Sequence, residues 1–265
     1  MKRLLATLVL LLFILWFVLP LLWILRTSFV PEAQSTSLDL VRGVTLENYL
    51  KLLVEDRFWR AAANSAFAAS LSTLLALPFA ATLGYALARY RSSGQAGRFL
   101  ILLLQLLPPV ALVLPVVALF QIANFTDPLG GLVIAYAAIN LPFLTWVLMG
   151  FFARVPVELE WAAMADGATA WGAFWRIALP VARPALWVAA LLGFILAWNE
   201  FLFALVLTDS DTATVPIALT NLQSRPELPF AELSAGIVLG ILPGLIAAVL
   251  LRRHLLRGRT FGAVR

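Results

Sequence analysis

The sequence contains no cysteine and a single histidine, His254. Disulfides, thiolate nucleophiles and Cys-ligated metals are therefore excluded, and one histidine cannot build a His cluster. Charge is scarce: Asp, Glu, Lys and Arg make up 12% of the 265 residues, against about 25% in soluble domains. Lysine occurs only as Lys2 and Lys51, and neither follows a Gly-rich loop. The phosphate-cradling G-x-x-x-x-G-K-[ST] sequence is thus missing, so the chain lacks that means of using ATP itself. Neither H-E-x-x-H nor G-x-S-x-G nor a helix-opening G-x-G-x-x-G occurs, and no nucleophile–base pair supports an enzyme.

Apolar residues are abundant, at 62% of the chain. They form continuous runs of the length a helix needs to cross a bilayer, roughly 20 residues, rather than the short alternating segments of a barrel. The expected fold class is all-α: a polytopic membrane protein with about six transmembrane helices in one domain, residues 1–265. The expected spans are Leu4–Leu25, Ala63–Ala88, Phe99–Ile122, Leu132–Phe152, Val181–Leu207 and Leu233–Leu251. The first run exceeds the 7–15 residues of a signal-peptide core, and no A-x-A-like site follows it, so a retained anchor is expected. Pro78, Pro108, Pro109, Pro115, Pro142 and the Pro243-Gly244 pair lie inside spans, where freed carbonyls need neighbouring helices or water. Between the first two spans, Thr45 is a plausible N-cap for a short surface helix with Tyr49, Leu52 and Leu53 on one face.

The net charge of +5 could point to nucleic acid, but the basic residues sit between spans and at the ends. Lys2, Arg3, Arg89, Arg91, Arg98, Arg154, Arg176, Arg183 and the tail arginines up to Arg265 fall on one set of loops. Arg26, Arg42, Lys51, Arg57, Arg60 and Arg225 fall on the other, mixed with most of the acids. The positive-inside rule places the first set, both termini and the Pro156–Pro180 loop in the cytoplasm, and Thr208–Ala231 outside. Ionisable groups within spans are nearly absent, and Glu200 is the main exception. An ion-coupled carrier needs several such groups, so this chain is not expected to energise transport alone. Asn140, Trp146, Asn199 and Glu200 are candidates for a translocation path. The alternative for Glu200 is a hydrogen-bonded structural group, and for Asn140 a bond to a carbonyl freed by Pro142.

The Pro156–Pro180 loop, PVELEWAAMADGATAWGAFWRIALP, is too long for a simple connector, since about 2–8 residues join neighbouring helices. Pro156 suits a helix start, and Glu158 and Glu160 complement the dipole of its first turn. Ala162, Ala163 and Ala165 keep that helix thin. Asp166-Gly167 is a C-cap signal, and Thr169 is an N-cap for a second helix that places Trp171, Phe174, Trp175 and Ala178 on an apolar face. The result is a helix-turn-helix knuckle. On pattern alone it either projects as a docking surface or lies against lipid headgroups.

That loop resembles the conserved cytoplasmic loop of permease subunits of bacterial binding-protein-dependent ABC importers. The pattern E-A-A, three residues, G, nine residues, I-x-L-P is met by Ala162-Ala163, Gly167 and Ile177-Ala178-Leu179-Pro180. The wider sugar-importer form is met by Pro156, Glu158, Leu159, Glu160, Ala162, Ala163, Asp166, Gly167 and Ala168. Trp161 stands where the motif has its first Glu, and Glu160 adjoins it. Asn64-Ser65, Leu141-Pro142-Phe143, Trp198-Asn199-Glu200-Phe201 and the tail from Gly258 to Arg265 are similar to the second permease of the maltose-type branch. The resemblance implies a multi-pass subunit of the bacterial plasma (inner) membrane that translocates a sugar, with di- or oligosaccharides favoured. The other readings are the same machine for a polyamine, phosphate or other solute, or a secondary carrier. It implies a second homologous permease subunit, two ATP-binding cassette subunits that bind ATP and Mg, and an extracytoplasmic solute-binding protein. It places ATPase coupling at Glu158, Glu160, Trp161, Ala162, Ala163, Asp166, Gly167, Ala168, Ile177 and Pro180, and binding-protein contact at Asp209, Asp211, Asn221 and Gln223. No cofactor is implied in this chain.

Overall fold

A computed structural model describes residues 2–37 and 43–258. Arg42, Arg259 and Arg265, and most of the tail used in the resemblance, lie outside the described residues. Among the described residues the secondary structure is helical throughout, with no strand. The longer helices are α1 (Lys2–Thr27), α3 (Phe58–Arg89), α4 (Arg91–Leu106), α5 (Pro109–Ile122), α6 (Pro128–Phe152), α10 (Arg183–Trp198) and α13 (Phe230–Gly258). Shorter ones are α2 (Glu47–Val54), α7 (Val157–Ala165), α8 (Ala170–Ala173), α9 (Leu179–Val181), α11 (Leu202–Leu207) and α12 (Val215–Gln223), with a π-helical turn at Phe174–Ala178.

Four segments are single helices long and apolar enough to span: Leu5–Thr27, Phe58–Arg89, Pro128–Phe152 and Phe230–Leu251. They match the expected first, second, fourth and sixth runs to within a turn or so. The third run is not one helix. It breaks at Leu107-Pro108 into α4 and α5, which meet at 93°. The cause is local: Pro109 opens α5, and a residue preceding proline is pushed out of the helical region, so Leu107 and Pro108 take ψ of 123° and 130°. The fifth run also differs. The segment Ala170–Val181 meets α10 at 74°, and α10 ends at Trp198, so Glu200 lies in a break before α11 rather than inside a helix.

The chain forms two compact units, Met1–Ala62 with Val215–Pro243, and Ala63–Thr214 with Gly244–Arg265. The first unit is built around α2. Asn48 donates to the carbonyls of Ser28 and Val30 at 3.0 and 2.8 Å, and the Tyr49 hydroxyl meets Ser28 Oγ at 2.7 Å. Thr45 accepts from the Glu47 amide, but α2 starts one residue later than expected, with Leu46 at the N-cap, and its inner face is Asn48 and Leu52 while Leu53 is exposed. An ion cluster closes the unit. Arg225 reaches Asp56 at 2.6 Å and Glu232 at 2.9 Å, and Lys51 lies 3.1 Å from Glu232. The hydrogen bond to Glu232 raises the Lys51 ammonium. Burial pushes the Asp56 carboxyl up, but hydrogen bonds with Glu232 and Arg225 outweigh it and hold Asp56 below the usual range.

The second unit packs α3, α6 and α10 through small residues. Ala76, Ala80, Ala81, Ala185 and Ala189 are buried with Leu144, Leu148 and Phe152. In lipid, association rests on close packing, and small side chains allow it. At Gly84 the two backbones nearly touch: an added Cβ would lie 2.9 Å from Met149 N and 3.0 Å from Thr145 O.

Candidate functional site: the knuckle between α6 and α10

Each half of the loop is closed by the residues its sequence offers. Pro156 stands at the N-cap of α7. The helix ends where Gly167 takes φ +93° and Gly167 N and Ala168 N return to the carbonyls of Met164 and Ala163. Thr169 Oγ1 then accepts from Gly172 N at 3.0 Å and starts α8. The second half switches to a π turn at Phe174–Ala178 before Pro180. Pro180 lacks the N–H that would otherwise serve the Arg176 carbonyl.

The knuckle is locked to α3 from beneath. The Glu160 side chain is 4% exposed and its partner Arg89 12%. Arg89 Nε and Nη2 donate to Glu160 Oε1 at 2.9 and 2.6 Å, and the same Nη2 reaches the Val155 carbonyl at 2.9 Å. The Tyr85 hydroxyl donates to Oε2 at 2.7 Å. Phe174 is buried against Tyr85, with ring centroids 4.7 Å apart, and Tyr85 meets Phe152 edge-on at 5.5 Å.

This arrangement sorts the side chains of the loop into two sets. Glu160 is turned away from the outer surface, because its position on α7 points it at α3; Glu158 and Asp166 are the carboxylates left outside. The second half does not bury one continuous face. Phe174 and Ala178 point inward, whereas Trp171 and Trp175 are exposed, Trp171 stacked on Phe174 and meeting Trp175 edge-on. Ala162 is exposed, and Ala163, Ala168, Ile177 and Pro180 are half-buried. Outward-facing Leu159, Trp161 (59% exposed), Met164, Trp171 (60%) and Trp175 form an apolar surface on a rigid base.

The other candidates lie elsewhere. Glu200 accepts the N–H groups of Leu202, Phe203 and Ala204, so its carboxylate caps the start of α11. Tyr136 donates to the Glu200 carbonyl at 3.2 Å. Asn140 is buried and donates to the Gly193 carbonyl on α10 at 3.3 Å, a cross-link between helices rather than a partner for a carbonyl freed by Pro142. Asn199 is exposed and bonds its own helix at Ile195, and Trp146 is partly exposed on α6. Asp209 closes a turn: its Oδ1 accepts from Asp211 N, Thr212 N and Thr212 Oγ1 at 2.7–3.0 Å. The Thr212 hydroxyl first, then backbone N–H groups, hold that carboxyl below its ordinary value. Asp211 is exposed beside it, while Asn221 and Gln223 are exposed on α12 in the other compact unit. Among the described residues no group of three or more His, Asp or Glu could hold a metal.

Tyr85, Arg89 and Gly84 were not singled out in the sequence for this site. Arg89 counted only as a topological charge. Its spacing of four from Tyr85, which places both on one face of α3, was the available signal.

The fold is thus that of a polytopic helical chain with a capped, apolar knuckle between two of its apolar runs. Residues 76–260 match the family described as binding-protein-dependent transport system inner membrane component. The trehalose transport system permease protein SugB of Mycobacterium tuberculosis is 35% identical over 254 residues, covering 93% of this chain and 92% of that protein. The trehalose/maltose permease MalG of Thermococcus litoralis is 32% identical over 252 residues, covering 93% and 91%, and the diacetylchitobiose permease DasC of Streptomyces coelicolor 33% over 254, covering 94% and 92%. A solved bacterial ABC transporter for the acidic polysaccharide alginate contains a chain that superposes with a TM-score of 0.80 at 22% identity, covering 95% of each. The chain belongs to the family of binding-protein-dependent transport system inner membrane components, and is a multi-pass permease subunit of an ABC importer.

Proposed function

We propose that this chain forms half of the translocation path of a carbohydrate importer and that its knuckle is the seat of an ATP-binding cassette subunit. The observation that carries this reading is the knuckle itself. An exposed patch of Leu159, Trp161, Met164, Trp171 and Trp175 is costly to leave in water and is the kind of surface that buries against a protein. The buried Glu160–Arg89 pair beneath it gives that surface a fixed base.

Charge asymmetry between loops supports a cytoplasmic knuckle and cytoplasmic termini. The partners are a second homologous permease subunit, two ATPase subunits that bind ATP and Mg, and an extracytoplasmic binding protein. A solved relative of the same fold was captured with a pentasaccharide-bound periplasmic protein, which supports the last of these. Glu158, Trp161, Ala162, Asp166 and Gly167 face the ATPase, whereas Glu160 acts from beneath. Asp209 and Asp211 contact the binding protein, as do Asn221 and Gln223. The relatives named for trehalose, maltose and diacetylchitobiose support a di- or oligosaccharide as solute. The membrane is the bacterial plasma membrane.

The test is ATP hydrolysis by the reconstituted complex with its binding protein, challenged with trehalose, maltose, diacetylchitobiose and spermidine. Stimulation by one of the sugars is the expected result. Stimulation by spermidine alone would refute the carbohydrate assignment.

A further inference from the structure

The Asn64-Ser65 pair at the start of α3 has no role in the mechanism above. Asn64 Nδ2 donates to the carbonyls of Asp211 and Ala213, both at 3.0 Å. These carbonyls belong to the turn that Asp209 closes on itself, with Thr214 and Ala213 buried behind it. One side chain thus holds two carbonyls of the turn, on either side of Thr212, which a hydroxyl or a carboxylate cannot do, because only an amide or a cation offers two N–H donors there.

The other end of the same helix carries Tyr85 and Arg89, which hold Glu160 of the knuckle. Asn64 and Arg89 are separated by about 38 Å of helix at 1.5 Å per residue. α3 is continuous between them, through Pro78, and Ala76, Ala80 and Ala81 around that proline are buried against the core. At Gly84 it is seated on the backbone of α6. All of these residues lie in one compact unit.

We infer that α3 is a two-ended strut that passes the position of the knuckle to the Asp209–Thr214 turn, with Arg89 and Tyr85 as the clamp at one end and Asn64 as the clamp at the other. The inference rests on the proposed seating of the ATPase on the knuckle. It assigns Asn64 as a positioning residue: it touches no solute, and its effect is exerted through the turn. A helix braced along its length moves as a body, so ATPase closure beneath the knuckle displaces a turn on the opposite end of α3. Conversely, a protein that engages that turn biases the knuckle.

The absence of cysteine makes the test direct. A spin label is placed at Ser210→Cys in the turn, and separately at Ala170→Cys on the knuckle, in the complete transporter with cysteine-free partner subunits. Spectra are recorded with and without MgATP and vanadate, so no transported solute is needed. Nucleotide is expected to change the spectrum at both positions. Asn64→Asp, which presents an acceptor to two carbonyl oxygens, is expected to abolish the change at Ser210→Cys while leaving it intact at Ala170→Cys and leaving the ATPase subunits bound. Asn64→Gln, which keeps the donor, is expected to restore it. Full response at Ser210→Cys in Asn64→Asp overturns the strut, and so does equal loss in Asn64→Gln. No response at Ala170→Cys in the parent refutes the seating of the ATPase instead. A response at Ala170→Cys without one at Ser210→Cys refutes the strut alone.

Discussion

Glu160 provides the sharpest test of how the knuckle is held. Both Arg89 bonds fall on Oε1, and the Tyr85 bond falls on Oε2. Glu160→Gln can keep that geometry: the amide oxygen faces Arg89 and the amide nitrogen donates to Tyr85. What it loses is charge. Two charge-assisted bonds worth about 1.5–3 kcal/mol each become neutral-acceptor bonds worth about 0.5–1.5, a net loss of roughly 2 kcal/mol. Glu160→Ala leaves a guanidinium that is 12% exposed with only the Val155 carbonyl, and uncompensated buried charges cost about 3–5 kcal/mol. The Arg154–Val155 bond reports on this opening, because Arg154 is exposed while Val155 is buried and held by Arg89. When reclosing outpaces cleavage, trypsin reads the open population. At 1.4 kcal/mol per tenfold, Gln should speed the cut about 30-fold and Ala roughly 100- to 4,000-fold. Tyr85→Phe, which strips Oε2 of its donor at about 1–3 kcal/mol, should fall between the parent and Ala. Cleavage of Glu160→Ala at the parent rate, or equal rates for Gln and Ala, would refute the idea that a buried charge pair secures the knuckle.

Other expectations are simpler. Gly84→Val places a branched side chain where even a Cβ would be 2.9 Å from the Met149 backbone nitrogen, so the α3–α6 seam should open at about 1–3 kcal/mol, seen as a lower midpoint in thermal unfolding. Gly167→Ala meets open space, so its cost is the φ of +93° alone, of order 1–2 kcal/mol; it should raise ATP consumed per solute imported without reducing insertion. Trp161→Glu acts on an exposed side chain and should leave the knuckle folded, with import close to the parent; strong loss of uptake would show that the docking contact has become apolar. The Lys51–Glu232–Arg225–Asp56 cluster should lose stability at both extremes of pH. The depressed Asp56 contributes stability that is lost as pH falls through its folded value, below about 4, and the raised Lys51 contributes stability lost only as pH rises above about 10.5. Amide exchange in α12 should accelerate at both limits.

Much of this was legible in the chain itself. Composition and run length determined an all-α membrane protein, because a bilayer leaves few ways to satisfy backbone groups. Pro156, Asp166-Gly167 and Thr169 determined where the knuckle starts, turns and restarts, because caps act over three or four residues and need no distant partner. The missing phosphate loop determined that this chain lacks that means of using ATP. The partners of long range were decided only by the tertiary structure. Glu160 turned inward because Arg89 and Tyr85, some seventy residues earlier, wait beneath it. The Leu107-Pro108 bend split one apolar run into two helices, and hydropathy does not register direction. Glu200 became a helix cap once the chain broke at Asn199. Asn64, marked in the sequence only as part of a family resemblance, acquired its two carbonyls only when the turn at Asp209 folded against it. Local chemistry is written in neighbouring residues, whereas a side chain's partner across the fold depends on how every helix between them packs.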